Sequence, residues 1–244
     1  MNKDNNTESG VIVPISGGMD STVLLHYAAS KFKNVYAISF DYGQRHKKEL
    51  ECAEYQINAI REGDDDRNVC FNTVVKLPFF NLIKGSALID RGIDVAKARD
   101  VMGDPQTVNY VPFRNMMLLS IACSFAESLK ATTVYHGAAQ ADSVAGYWDG
   151  SPEFLIAINN ITDINRRNKI KVEAPLIDKS KKEIIEMGIE LGVDFSRTWT
   201  CYEGLDQACG ECTACSLRLQ GFIQAKTKDP ICYSKDIPWD KLLV

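Results

Sequence analysis

Short apolar runs alternate along this chain with segments of helical period. Val11-Ile12-Val13-Pro14-Ile15 is an apolar run that ends in the turn Ser16-Gly17-Gly18, which predicts a strand and a loop. From Thr22 to Phe32, Val23, Leu24, Tyr27 and Ala28 fall on one helical face. Val35 to Phe40 predicts a second strand, stopped by the polar Asp41-Tyr42-Gly43-Gln44-Arg45, and a charged helix follows from about His46 to Arg61. Gly63 to Asn68 predicts a loop, and Val69 to Val75 a third strand. Residues 78–109 show no firm period, as befits irregular structure or a flap over a site. Beyond them, Met116 to Leu129 predicts an apolar-rich helix and Thr133 to His136 a strand ending at Gly137. Asp149 to Asn160 predicts a helix, with Ser151 as its N-cap and Pro152 at its first position. Val172 begins a short strand that stops at Pro175, and Ser180 caps a helix over Lys181 to Leu191 that Gly192 closes.

Strands alternating with helices imply a parallel sheet covered on both faces, an α/β doubly wound, Rossmann-like fold. The pattern divides the chain into a flexible lead-in over 1–10, a main domain over 11–197 and a cysteine-rich C-terminal extension over 198–244. Composition agrees with a folded, soluble protein: 45% of residues are hydrophobic and 25% charged. The net charge of −4 argues against a chain held to nucleic acid by charge, so the basic runs Arg166–Lys171 and Lys179–Lys182 read as solvated surface. The start lacks a basic stretch followed by an apolar one, and no apolar run approaches the about 18 residues that a membrane span needs. A cytoplasmic protein with no membrane association is expected. In that reducing setting the eight cysteines are not a disulfide framework. Cys52, Cys70, Cys123 and Cys232 are scattered, whereas the other four crowd between Cys201 and Cys215.

The turn after the first strand carries the most specific chemistry. In an open parallel sheet, ligands bind where strands turn into helices at their carboxyl ends. Gly17 and Gly18 let backbone N–H groups approach an oxyanion, Ser16 and Ser21 add hydroxyl donors, and the following helix adds its positive dipole end. Asp20 can hold a magnesium ion bridging phosphate oxygens. No Walker lysine is present, which argues against a kinase-like or GTPase-like loop. Ser16-Gly17-Gly18-Met19-Asp20-Ser21 resembles the signature of the PP-loop ATP pyrophosphatases. Members of that superfamily adenylate an oxygen of their substrate and release pyrophosphate.

The second motif, Cys201, Cys209, Cys212 and Cys215, offers four thiolates at metal-ligand spacing. Tetrahedral zinc, with Zn–S bonds near ~2.3 Å, is the leading occupant and a structural role the leading reading. An iron–sulfur cluster and unliganded thiols are the competing readings.

Further segments resemble one branch of that superfamily, the 7-cyano-7-deazaguanine synthase (QueC-like) family: Phe40-Asp41-Tyr42-Gly43-Gln44-Arg45-His46, Tyr110-Val111-Pro112-Phe113-Arg114-Asn115, Thr200-Cys201-Tyr202, Cys209 to Cys215, and Leu217-Arg218-Leu219-Gln220-Gly221-Phe222. The resemblance runs over most of residues 11 to 222. It implies an ATP-dependent C–N ligase that adenylates the carboxylate of 7-carboxy-7-deazaguanine, captures ammonia as an amide, and dehydrates the amide to a nitrile. It also implies structural zinc and a homodimer. On this resemblance Ile15 to Thr22 (Ile15, Ser16, Gly17, Gly18, Met19, Asp20, Ser21, Thr22) with Asp41, Tyr42 and Gln44 bind ATP. Lys181 lies near the phosphates, and Asp20, Lys181 and Arg114 form the catalytic set. Arg114, Asn115, Gly137, Asp142, Tyr147, Trp148 and Asp149 bind the deazapurine. One stretch departs from the family pattern: Asp142-Ser143-Val144-Ala145-Gly146-Tyr147-Trp148-Asp149-Gly150-Ser151 has an extra residue before Gly146, Trp148 in place of Pro, and Gly150-Ser151 in place of Cys-Arg. Trp148 could stack on a flat ring. A changed acceptor or product, including conjugation to a protein, is therefore an alternative. tRNA thiolation and a zinc-knuckle module for nucleic acid are further ones.

Overall fold

Five strands, β1 (Val11–Pro14), β2 (Val35–Asp41), β3 (Val69–Lys76), β4 (Thr133–Tyr135) and β5 (Lys171–Glu173), pair in the order β3-β2-β1-β4-β5 with every pairing parallel. This is the expected doubly wound sheet. The computed structural model describes residues 10–63, 69–101, 104, 107–144 and 147–243. Most of the expected lead-in, most of the Gly63–Asn68 loop, and Ala145 and Gly146 of the departing stretch lie outside the described residues.

The two-residue period of the strands sorts side chains between two apolar layers. Val11, Val13, Val35 and Ala37 face a layer shared with helices α1 (Met19–Lys31), α2 (Lys48–Arg61), α7 (Lys181–Glu190) and α8 (Thr213–Gln224). Ile12, Ile38 and Phe40 face the opposite layer, closed by α4 (Arg114–Leu129) and α6 (Pro152–Thr162). Short helices α3 (Ala98–Val101), α5 (Gln140–Val144) and α9 (Trp239–Leu242) complete the set. Among the described residues, no helix is long and apolar enough to cross a membrane.

Several boundaries move for identifiable reasons. Ser151 Oγ accepts the Phe154 N–H at 3.1 Å, so α6 begins after Ser151, and Asp149 falls in a preceding 3-10 turn over Trp148–Gly150. A reciprocal capping box between Ser180 and Glu183 fixes the start of α7. Helix α4 begins at Arg114, with Phe113 in the flanking position at φ 52°. Asn115 is thus in the first turn rather than at the cap. The irregular stretch 78–109 is tied down in its described part. Phe80 and Leu88 are buried, Arg45 N–H donates to Leu88 O, and Ala98 N–H donates to Glu211 O.

Helix α8 has no counterpart in the sequence expectations, because its first turn coincides with the cysteine cluster and its apolar period is short. The stretch beyond Thr198 is accordingly not held by the cysteines alone. Phe222 lies in the main core, and the Arg218 guanidinium, wholly buried, pairs with Asp229 at 2.7 and 2.9 Å. Arg218 also donates to Thr198 Oγ1, Thr200 Oγ1 and the Phe195 carbonyl.

Candidate active site

The carboxyl ends of β1, β2 and β4 open into one cavity of about 300 Å³, at the point where the strand order reverses. Its first end is the turn after β1. Ser16 and Ser21 hydroxyls lie 3.0 Å apart, and Ser21 Oγ also accepts the Ser16 N–H and donates to the Gly18 carbonyl. Gly18 flanks α1, whose first N–H groups lack helical partners and face anions readily. Gly17 does something else. It sits at φ 88°, and a β-carbon there would stand 2.7 Å from Ala53 N and overlap the Glu49 carbonyl. Its missing side chain makes room for α2. The Gly17 carbonyl accepts the Trp199 N–H at 2.9 Å, which ties the turn to the segment before the cysteines.

Lys181, at the start of α7, reaches across to Asp20 with Nζ–Oδ2 at 2.7 Å. Burial alone would lower the Lys181 pKa, but the carboxylates of Asp20 and Asp142 outweigh it and hold the ammonium above its ordinary value. The second Asp20 oxygen, Oδ1, is buried without a hydrogen-bond partner. A carboxylate oxygen left in that condition fits a cation, since a buried charge without a partner is costly.

The other end is built around Arg114. Its guanidinium is partly buried, donates to the Tyr42 hydroxyl at 3.3 Å and to Asn115 Oδ1 at 3.4 Å, and has no ion pair among the described residues. Burial pulls its pKa down, but the hydroxyls of Tyr42 and Tyr202 and the carboxylate of Asp149 hold it above the ordinary value. A partly buried cation whose hydrogen-bond partners are neutral is a receiver for an incoming anion. His136 Nε2 lies 2.8 Å from the Asp149 carbonyl, so that nitrogen carries the proton, and burial keeps the ring neutral. Asp142 Oδ2 accepts the Ala139 N–H. Burial raises the Asp149 carboxyl despite the pull of Arg114.

Of the residues expected from sequence, Ile15, Ser16, Gly18, Met19, Asp20 and Ser21 line this cavity, as do Tyr42, Arg114, Asn115 and Gly137. Asp142, Tyr147, Asp149 and Lys181 complete that group. Gly17, Thr22, Asp41, Gln44 and Trp148 are not in the lining. Thr22 is buried inside α1. Asp41 folds back on its own turn, accepting the Gly43 N–H and pairing with Lys47 at 3.3 Å. Gln44 is a brace: it accepts the Tyr42 N–H and donates to the Phe40 carbonyl. Trp148 donates through Nε1 to the Tyr110 hydroxyl at 2.9 Å, with its ring edge-on to Phe113 and Phe154. Tyr110 OH in turn accepts the Phe113 N–H. The indole thus props the left-handed turn that launches Arg114.

Sequence reasoning missed Glu49 and gave His46 no role, yet both line the cavity. Their side chains lie 3.4 Å apart, and Gln44 Nε2 donates to Glu49 Oε1 at 3.5 Å. Burial pushes the Glu49 carboxyl up to about 8, and burial with the nearby Arg114 and Arg45 pushes His46 down to about 3. The helical spacing of Glu49 from His46 was the available signal.

The sulfurs of Cys201, Cys209, Cys212 and Cys215 all lie within 4.8 Å of one another, next to the cavity through Trp199, Thr200 and Tyr202. Cys209 and Cys215 sulfurs are 3.9 Å apart, close to the about 3.8 Å edge of a tetrahedron with ~2.3 Å bonds. The Cys209 N–H donates to Cys201 Sγ, and those of Glu211 and Cys212 donate to Cys209 Sγ. Such donors favour thiolates, so the four residues fit a metal ion.

The model of the family described as "Queuosine biosynthesis protein QueC" matches residues 10–226. The 7-cyano-7-deazaguanine synthase of Clostridium kluyveri is 40% identical over 228 residues, covering 91% of this chain and 96% of that protein. The synthase of Thermoplasma volcanium is 42% identical over 230 residues, covering 92% and 90%. The synthase of Psychromonas ingrahamii is 39% identical over 223 residues, covering 91% and 97%.

Proposed function

The chain belongs to the QueC family, and on that premise we propose that it is an ATP-dependent ligase making 7-cyano-7-deazaguanine from 7-carboxy-7-deazaguanine and ammonia. The observation that carries this reading is one cavity with two separate stations for anions, the turn with Lys181 at one end and Arg114, without an ion pair among the described residues, at the other. A triphosphate and a carboxylate can thus be held together. In the first stage a carboxylate oxygen attacks the α-phosphorus, the α–β bridge breaks, and pyrophosphate leaves beside Lys181, which stabilises the growing charge. Ammonia then displaces AMP from the acyl carbon and leaves the amide. A second ATP adenylates the amide oxygen, and loss of AMP with protons from nitrogen yields the nitrile.

Asp20, with Oδ1 free, would hold Mg²⁺, which supplies charge neutralisation at the phosphates. The four cysteines would hold zinc in a structural role. Tyr147, Asn115, Gly137, Asp142 and Asp149, which line the cavity, would surround the deazapurine. A homodimer and a cytoplasmic location accompany this reading as expectations from the resemblance. The changed-acceptor reading is not favoured by the family match or by the synthase relatives, and Trp148 supports Tyr110 from outside the cavity lining. The test is mass analysis of products from 7-carboxy-7-deazaguanine, ATP and ammonium. Nitrile, AMP and pyrophosphate are expected; amide as the final product, or no turnover without a protein acceptor, would overturn the assignment.

A further inference from the structure

The cavity contains one titratable cluster that neither adenylation uses. Glu49 is 7% exposed and lies in the first turn of α2, with His46 at 3.4 Å and Gln44 at 3.5 Å. Its backbone is wedged against Gly17, which fixes where α2 starts, and its carboxyl meets Gln44 and His46 in the cavity lining. Arg114 faces it from α4, Tyr42 from the turn after β2, and Cys52 from its own helix. Among the described residues no lysine or arginine pairs with it within 4.0 Å, so its proton affinity is not quenched by a cation in contact.

We propose that Glu49 is the general base of nitrile formation, taking the last nitrogen-bound proton of the adenylated amide as AMP departs. This deepens the synthase reading and rests on it. O-adenylation of the amide leaves a positively charged nitrogen bearing two protons, the first of which passes to water. In the remaining imidate, the C–O electron pair leaves with AMP and the N–H pair becomes the final carbon–nitrogen bond. The proton ends on the Glu49 carboxylate. A carboxyl pushed up to about 8 by burial is well matched to accept it near neutral pH. Neutral His46 adds no competing charge.

The test feeds the amide and ATP to wild type, Glu49→Gln and Glu49→Asp, and separately feeds the carboxylate with ammonium. Glu49→Gln should slow amide-to-nitrile conversion about 100-fold and carboxylate-to-amide conversion far less, so that amide accumulates. Glu49→Asp should recover part of the rate. The wild-type nitrile step should rise with pH through about 8, and that rise should vanish in Glu49→Gln. Equal losses in both stages, or an unchanged pH profile, would mark a packing role and overturn the proposal. Failure of wild type itself to make nitrile would instead remove the synthase reading.

Discussion

The two ends of the cavity are built in opposite ways. The phosphate end is a contiguous turn, Ser16 to Ser21, completed by one remote lysine. The Arg114 end is assembled from Tyr42, His46, Glu49, Arg114, His136 and Tyr202, brought together by five parallel strands and by the stretch that follows Cys201. The first needs a short sequence and a helix end. The second needs the whole sheet, and its chemistry comes from burial rather than from residue identity alone.

The largest way to break both ends at once is to remove the metal expected at the four cysteines. Structural zinc contributes on the order of 10–16 kcal/mol in small zinc domains, and Trp199 and Tyr202 link this region to Gly17 and His46. Chelation should abolish cooperative melting of the 198–244 stretch and ATP binding together, as read by hydrogen exchange and calorimetry. Next in size, Lys181→Met should lower the rate of pyrophosphate release about 10²–10³-fold in both stages, because each adenylation uses the same end. Arg114→Met should instead raise KM for the carboxylate about 10–100-fold while ATP binding changes little. Equal effects of the two variants on ATP binding would erase the distinction between the ends.

A smaller effect separates them by pH. Glu49 holds its proton up to about 8 in the fold against 4.5 normally, so its stabilisation is complete below about 4.5 and lost as pH rises through about 8. His46 acts in the reverse sense: its contribution is complete above 6.5 and is lost as pH falls towards about 3. Of these two groups only Glu49 acts between 6.5 and 8, where stability should fall by up to about 1.4 kcal/mol per pH unit. Glu49→Gln should flatten that slope in denaturant titrations. Smallest of all, Trp148→Phe keeps an aromatic edge but loses the bond to Tyr110. It should cost about 1 kcal/mol in unfolding experiments and leave the product unchanged.

The same contrast explains what could be read from the chain. The sheet was legible because Val11 to Ile15 and Val35 to Phe40 alternate between two apolar layers, and the serines, Asp20 and Lys181 were legible through a motif. Glu49 was not, because a glutamate in a charged helix looks solvated until Gly17 and Gln44 bury it. The support that Trp148 gives Tyr110 was not legible, because its indole nitrogen finds a partner far away in sequence. The packing of Gly17 against α2 was not legible either, because a glycine in a phosphate-loop motif carries no sign of the helix that lies on it.

The bond from Trp199 N–H to the Gly17 carbonyl bears on the order in which this molecule becomes competent. A nascent chain that has made only the first strand and helix carries the nucleotide signature without its shape. The turn acquires that shape after α2 has docked on Gly17 and the residues around Trp199 have closed over it. Nucleotide affinity should therefore arrive late, and protection by ATP against proteolysis should report that the two distant parts of the chain have met.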